Sequence, residues 1–393
     1  MVAHVAVASI TTLAPLRASA LPFPHSAAAL TFGVKIMPSP PQKRVLITGG
    51  AGFIGTHLRK RLADEGSNAV FLYDNLLPQV HGDTKPVLAA HETLCVGGIE
   101  DADRFNEFFG KAQPDTIFHL ASETGTGQSM DEPRRYCNVN ITGTAILMEA
   151  MRRNPQPRHI VLTSSRSIYG EGAYRLSDGR IVTAPTRSND AMTSGLYQIK
   201  TIDGLRAEPI PTPETIEPAP VSVYASSKLV QEHLVQQLAP LSGATHSIVR
   251  FQNVYGPGQS LSNPYTGVLS IFIDILQRGG RLNIFEDGDI VRDFVYVEDV
   301  VDAMLGAAQH PAESGPFNIG TGRTASILDV AHILVQQLGL PSDRIKISGD
   351  FRPGDVRYAV ADIAKAQTVL GWQPTTTLEE GLKRLVHWAG KQK

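Results

Sequence analysis

Thr48-Gly49-Gly50-Ala51-Gly52-Phe53-Ile54-Gly55 lies between an apolar run, Val45-Leu46-Ile47, and a stretch with helical spacing over 53–65. Gly49, Gly52 and Gly55 recur every third residue. Side chains there would block a tight strand-to-helix turn, the close approach of a pyrophosphate and the packing of the helix on its sheet. The helix N-terminus that follows offers free N–H groups and the positive end of a dipole to phosphates. A glycine trio alone also makes ordinary tight turns; an acid at the right distance narrows this one. Asp74 ends a second β-rich run, 69–73, about 20 residues past the last glycine, where a carboxylate grips the adenosine ribose hydroxyls. Its charge repels a 2′-phosphate, and Asn75-Leu76-Leu77 supply no arginine to receive one. The segment reads as a site for NAD rather than NADP.

Short β-rich runs alternate with helical ones further along: strands at 116–120, 159–163 and 247–251, helices at 103–111, 138–152 and 224–238. Such alternation implies parallel βαβ units in a doubly wound α/β sheet of Rossmann type. After Gly256 the elements become mixed. Helices are expected at 268–276, 327–338 and 378–388, with a return to the first domain near 291–319. The expected division is an NAD-binding domain over 43–255 plus about 291–322, and a smaller mixed α/β substrate-binding lobe over 256–290 plus about 323–393. Residues 171–220 break the rhythm: they are rich in Pro, Gly and polar residues and show no period. A loop this long inside a domain is functional or disordered, and this one is expected to cross the mouth of the substrate site. Residues 1–42 hold no Asp or Glu and only Arg17 and Lys35 as charges. Acid-poor and Ser-rich, they admit a targeting leader, but read better as a disordered leader or upstream-start extension, because no clear apolar core with a cleavage site follows a basic start.

Composition bounds the partners. Of 393 residues, 42% are apolar and 19% charged, enough to bury a core. Lys plus Arg number 36 against 38 Asp plus Glu, a net charge of −2, which lacks the basic excess of a nucleic-acid or anionic-membrane binder. No run of about 18 apolar residues predicts a membrane span, and the expected location is cytoplasmic. Cys95 and Cys137 offer neither metal-ligand spacing nor a disulfide framework, so no metal is expected.

A second signal is Tyr224-Ala225-Ser226-Ser227-Lys228. Residues four apart share a helix face, so phenol and ammonium can enter one cleft. A phenol near pKa 10 is a poor base at neutral pH, and lowering it by about three units takes roughly 4 kcal/mol. Nearby positive charge, from Lys228 and from an oxidised nicotinamide, favours the phenolate. A third signal, Thr163-Ser164-Ser165-Arg166-Ser167-Ile168-Tyr169-Gly170, follows the fifth strand. Ligands bind beyond the carboxyl ends of such strands, so Ser165 can hold a reacting hydroxyl or carbonyl for proton transfer.

Together these signals resemble the extended short-chain dehydrogenase/reductase family, in particular its nucleotide-sugar epimerases and dehydratases. Further ordered matches cover essentially all of 43–390: His119-Leu120-Ala121-Ser122, Asn138-Val139-Asn140, Arg250-Phe251-Gln252-Asn253-Val254-Tyr255-Gly256-Pro257, Arg292-Asp293-Phe294-Val295, Phe317-Asn318-Ile319-Gly320 and Arg352-Pro353-Gly354-Asp355. The resemblance implies Ser165, Tyr224 and Lys228 as the catalytic set. Around NAD it implies Gly49, Gly52, Phe53, Ile54, Gly55, Asp74, Asn75 and Ile99, with Leu120, Ala121, Asn140, Ser164, Phe251 and Val254 and the catalytic Tyr224 and Lys228. For a nucleotide-sugar substrate it implies Glu123, Thr124 and Ser165, Asn253 at the sugar or diphosphate, Arg292 at the diphosphate, and Arg352 with Asp355 at the nucleoside end. The arginine fork suits diphosphate oxygens. A homodimer is also implied. Two positions depart from the family pattern. Gly97-Gly98 stands where relatives usually have Gly-Asp, removing a carboxylate that contacts adenine, and Gln252 replaces a usual aromatic residue.

Sugar dehydratases and decarboxylases of the family carry acids where this chain has Arg166 and Ser167, so dehydration is disfavoured. Oxidation to a uronate would want a cysteine nucleophile, and neither cysteine lies in a matching motif. The expected reaction is NAD-dependent C4 epimerisation of a nucleotide sugar through a transient 4-keto intermediate. The runs 74–82, 169–174 and 261–268 look like the dTDP-L-rhamnose 4-epimerase branch, pointing to a dTDP-6-deoxyhexose. A ketoreductase or dehydrogenase that releases its cofactor, or a non-catalytic NAD-sensing module, remains the alternative.

Overall fold

Val45, Leu46 and Ile47 are all buried because the strand they form has core on both faces. Val45 and Ile47 meet Leu58 and Leu62 of helix Phe53–Asp64 and Val300 and Met304 of helix Val297–Gln309. Leu46 turns the other way, toward Phe105 and Phe109 of helix Ala102–Ala112 and Leu147 and Met151 of helix Gly143–Arg153. Alternation with period two, apolar on both sides, is what a parallel sheet covered by two helix layers requires. Each such side chain, fully buried, contributes roughly 1.5–3 kcal/mol.

The sheet contains β1 (Lys43–Thr48), β2 (Asn68–Asp74), β3 (Glu92–Val96), β4 (Thr116–His119), β5 (His159–Ser165), β6 (Thr245–Phe251) and β7 (Gly315–Ile319). Their order is β7-β6-β5-β4-β1-β2-β3, every pairing parallel. Chain order reverses between β1 and β4, which opens a crevice at their carboxyl ends. The computed structural model describes residues 43–64, 68–82, 85–156, 158–261, 263 and 267–392. The leader expected at 1–42, Glu65 of the expected first helix, and residues 262 and 264–266 of the 261–268 run lie outside them.

Expected strands and helices form with ends shifted by a few residues, and three features go beyond the sequence reading. β3 is a short edge strand whose residues are only half-buried or exposed, so its alternation is faint. The helix expected over 138–152 begins as a π-helical turn, Cys137–Thr142, before becoming α-helical at Gly143–Arg153. The unpatterned stretch 171–220 is not a loop. It holds a four-stranded antiparallel sheet, Ala173–Leu176, Ile181–Thr183, Thr201–Ile202 and Leu205–Pro209, over a small core of Tyr174, Leu176, Ala184, Ile202 and Ala207. Two Asp-Gly pairs turn its hairpins, Asp178-Gly179 and Asp203-Gly204, and the latter has φ of 51° and 76°. Positive φ at both central residues is the tight hairpin turn that Asp-Gly favours.

A further core joins helices Val268–Gln277, Ile327–Gln337 and Leu378–Gly390 through Phe272, Ile273, Leu334 and Leu385. Val291–Arg292 pairs with Ala325–Ser326 and Tyr358–Ala359, and Phe294–Tyr296 pairs with Asn253–Tyr255. The chain rejoins the large sheet only at β7. No described helix is long and apolar enough to cross a membrane, and no cluster of three metal-ligating side chains occurs among the described residues.

Candidate active site

A cavity of about 470 Å³ opens where β1 and β4 diverge. Its floor is the glycine loop, and each glycine has its own reason. Gly49 has φ of +72°, and a Cβ there would lie 2.8 Å from Ala121 N. At Gly55 a Cβ would lie 2.5 Å from Gly49 O, so the helix could not seat on the turn. Gly52 would meet only Gly49 O, at 3.2 Å, and its open side faces the cavity. Thr56 N–H is bonded to Gly52 O; the N–H groups of Phe53, Ile54 and Gly55 precede the first intrahelical bond and can serve a phosphate.

Asp74, only 6% exposed, accepts from Ala51 N at 2.9 Å and Leu76 N at 2.9 Å, with His81 Nε2 at 3.5 Å. Burial alone would raise its pKa, but those hydrogen bonds hold it below the usual carboxylate value, so it stays ionised. A cradle closed to a Cβ at Gly49 and Gly55, helix N–H groups and a fixed carboxylate beyond them fit a dinucleotide. Asn75, Ile99, Leu120, Ala121, Ser164, Phe251 and Val254 line the same cavity, with Phe53 and Ile54. Asn140 does not. It is fully buried behind the wall, where Oδ1 accepts from Glu123 N at 2.7 Å and Nδ2 donates to Ser227 Oγ at 2.8 Å. The π-helical turn places it there.

At the other end of the cavity stand Ser165, Tyr224 and Lys228. Ser165 ends β5, and its Oγ accepts from Ser167 N at 3.2 Å and Ser167 Oγ at 2.9 Å. Helix Val223–Leu238 starts at a Ser222 cap, so Tyr224 and Lys228 follow on one face. Loss of water around the Tyr224 phenol raises its pKa, while a hydrogen bond with Ser165 and the charge of Arg166 pull it down without cancelling the rise. Lys228 is 3% exposed and donates to Ser122 Oγ at 3.3 Å. Burial lowers its pKa to about 7 against the pull of Glu232. Arg166 thus adds its charge to the surroundings of the phenol, beside the Lys228 and nicotinamide that the sequence reading named.

Of the expected substrate contacts, Glu123, Thr124 and Asn253 line the cavity, and Glu123 pairs with Arg135 at 2.8 Å. Arg292, Arg352 and Asp355 lie outside its lining. Arg292 pairs with Asp355 at 2.7 Å, while Arg352 stacks on Phe285 at 5.0 Å. Arg166 connects the two groups. Burial pushes its pKa down to about 10, Arg292 adds to the fall, and Asp355, Glu171 and Tyr224 oppose it. The insert, expected across the mouth, contributes no lining residue to this cavity; its sheet borders a second cavity with Asp289, Val291 and Arg357. Sequence reasoning missed His81, Glu100, Ser122 and Gln259 in the lining. Pro78 opening a short helix after Asp74 signalled His81, and Arg166 was in plain view beside Ser165.

The sequence matches the model of the NAD dependent epimerase/dehydratase family over residues 45–320. The chain belongs to that family. Among its epimerase/dehydratase relatives, a dTDP-L-rhamnose 4-epimerase from Burkholderia thailandensis is 40% identical, the match covering 89% of this chain and 96% of that one. A UDP-glucose 4-epimerase from Mycolicibacterium smegmatis is 31% identical, over 88% and 98%. Among solved structures, a UDP-glucose 4-epimerase from Thermotoga maritima with UDP-glucose superposes with a TM-score of 0.72 at 32% identity, covering 88% of this chain and 99% of that one. The UDP-glucose 4-epimerase from Thermus thermophilus in complex with NAD gives 0.71 at 28% identity, over 88% and 99%.

Proposed function

We propose that this chain is an isomerase, an NAD-dependent C4 epimerase of a nucleotide-activated sugar, acting on a dTDP-6-deoxyhexose such as dTDP-L-rhamnose. The observation that carries it is the Ser165–Tyr224 pair standing in the same cavity as the glycine loop and Asp74. The 40% identity with a dTDP-L-rhamnose 4-epimerase supports the choice of sugar.

Asp74 would hold the adenosine ribose, the N–H groups after Gly52 the pyrophosphate and Lys228 the nicotinamide ribose. Bound NAD would supply a two-electron acceptor that lets a ring carbinol become a ketone and return, and, in its oxidised form only, a positive charge. Tyr224 takes the proton of the C4 hydroxyl and gives one back when the ketone is reduced on its other face. Ser165 bonds the same oxygen in both directions, and Arg166 offsets part of the cost of ionising the buried phenol. Asn253, Arg292 and Arg352 with Asp355 hold the nucleotide end while the sugar turns. We further propose the division into an NAD-binding domain (43–255 plus about 291–322) and a sugar-nucleotide lobe (256–290 plus about 323–393), a homodimer and a cytoplasmic location.

The test is incubation with dTDP-, UDP- and GDP-sugars in heavy water without added nicotinamide. C4 inversion with no ring deuterium is expected; deuterium at C3 or C5, or a strict need for added cofactor, overturns the reading. Tyr224→Phe is expected to lower turnover at least about 10³-fold with NAD still found in the denatured supernatant.

A further inference from the structure

The loop after β3, Gly97-Gly98-Ile99-Glu100, sits on the outer side of β2, away from Tyr224. Sheet order puts it there, and Gly97 N donates to Asp74 O at 3.0 Å. Two acids end this loop and have different duties. Asp101 caps helix Ala102–Ala112, its carboxylate accepting from Arg104 N at 3.2 Å. Glu100 caps nothing. It lines the cavity shared with Asp74, and its Oε2 is shielded from solvent without a hydrogen-bond partner among the described residues. The carboxylate lies folded over Gly98. A Cβ built on Gly98 would fall 2.5 Å from Oε1 and 2.7 Å from Oε2, with only Glu100 atoms as its nearest neighbours.

A shielded carboxylate oxygen without a donor is costly, and such groups are rare unless a ligand completes them. The donor can be named by chemistry. This step rests on the NAD reading above. With the pyrophosphate on the glycine loop and the ribose at Asp74, the next group outward is the adenine. Its exocyclic amine is the only N–H donor the base retains in a nucleotide, and a carboxylate only accepts. We propose that Glu100 is the residue that selects adenine in the dinucleotide site, accepting from that amine, and that position 98 is glycine to admit it. The acid missing from Gly97-Gly98 is thus supplied two residues later, from a longer side chain reaching back.

Full-length protein stripped of nucleotide is titrated calorimetrically with NAD and with nicotinamide purine dinucleotide, in which hydrogen replaces the amine and the base keeps no N–H donor. The wild type is expected to prefer NAD by about tenfold or more, as for a charge-assisted hydrogen bond. Glu100→Gln should shrink that preference below about threefold, because its amide can serve either base. Gly98→Ala should do the same from outside, since the three atoms nearest its methyl all belong to the Glu100 carboxylate, and the double variant should add nothing. Unchanged melting temperatures check that both variants fold. Equal affinities in the wild type, or an undiminished preference in Glu100→Gln, overturn the assignment. A wild type that binds neither dinucleotide overturns the NAD reading itself, and this assignment with it.

Discussion

The glycine loop lines the reaction cavity and the insert sheet borders a second one, and neighbours of very different range along the chain hold them. Ala51 N meets Asp74 only 23 residues away. In the insert, Arg187 is 3% exposed and reaches Glu171 at 2.9 Å, Glu286 at 2.9 Å and Asp355 O at 2.8 Å, partners 16, 99 and 168 residues off. Glu171 in turn accepts from Arg357 N, 186 residues away. Burial raises the pKa of Glu171 even with Arg187 beside it. The loop is local backbone geometry; the insert is anchored by buried charge that balances only after distant segments have met.

Substitutions in each region should therefore fail in different ways. Arg187→Ala leaves Glu171 and Glu286 short of a partner and should cost about 3–5 kcal/mol in urea unfolding, with NAD affinity within about twofold of wild type. An equal loss of NAD affinity would show that the two regions are one unit. Gly55→Ala is the reciprocal case. Its methyl meets the backbone of Gly49 and Gly50 at 2.5 and 2.8 Å, which should cost about 1–3 kcal/mol and lower NAD affinity at least about tenfold.

A subtler effect is tied to pH. Because the folded, nucleotide-free chain holds the Lys228 proton only below about pH 7, while an unfolded lysine holds it to about 10.4, protonation favours unfolding between those values. Stability should rise with pH across that window by up to about 1.4 kcal/mol per unit relative to Lys228→Met; parallel curves for the two proteins would refute the burial of the amine. Least of all should come from Arg206→Ala, which removes an exposed pair with Glu208 on strand Leu205–Pro209 of the insert and should shift stability by less than about 0.5 kcal/mol.

The same difference in range explains what could be read in advance. Thr48–Gly55 and Asp74 were legible because backbone requirements of one turn are written in glycines three residues apart. The strands were legible where apolar runs such as Val45–Ile47 have core on both sides. The insert was not, because its strands are two to five residues long and its stability comes from Arg187, Glu286 and Arg357, scattered charges without a period; only the two Asp-Gly pairs announced it. Arg166 escaped for another reason. A cation next to a serine means little until the fold brings Tyr224 and Arg292 within its field.

Thr212 is hydrogen-bonded to Val360 O and Asp362 N, and its strand-like bridge to Ala361 runs parallel. That seam stitches the end of the insert to the segment that carries Asp355 and Arg357. Residues 171–220 therefore do not make a portable module. A chimera that imports them into a relative must also import 284–292 and 355–362, or the transplanted sheet arrives with acids whose counter-charges were left behind.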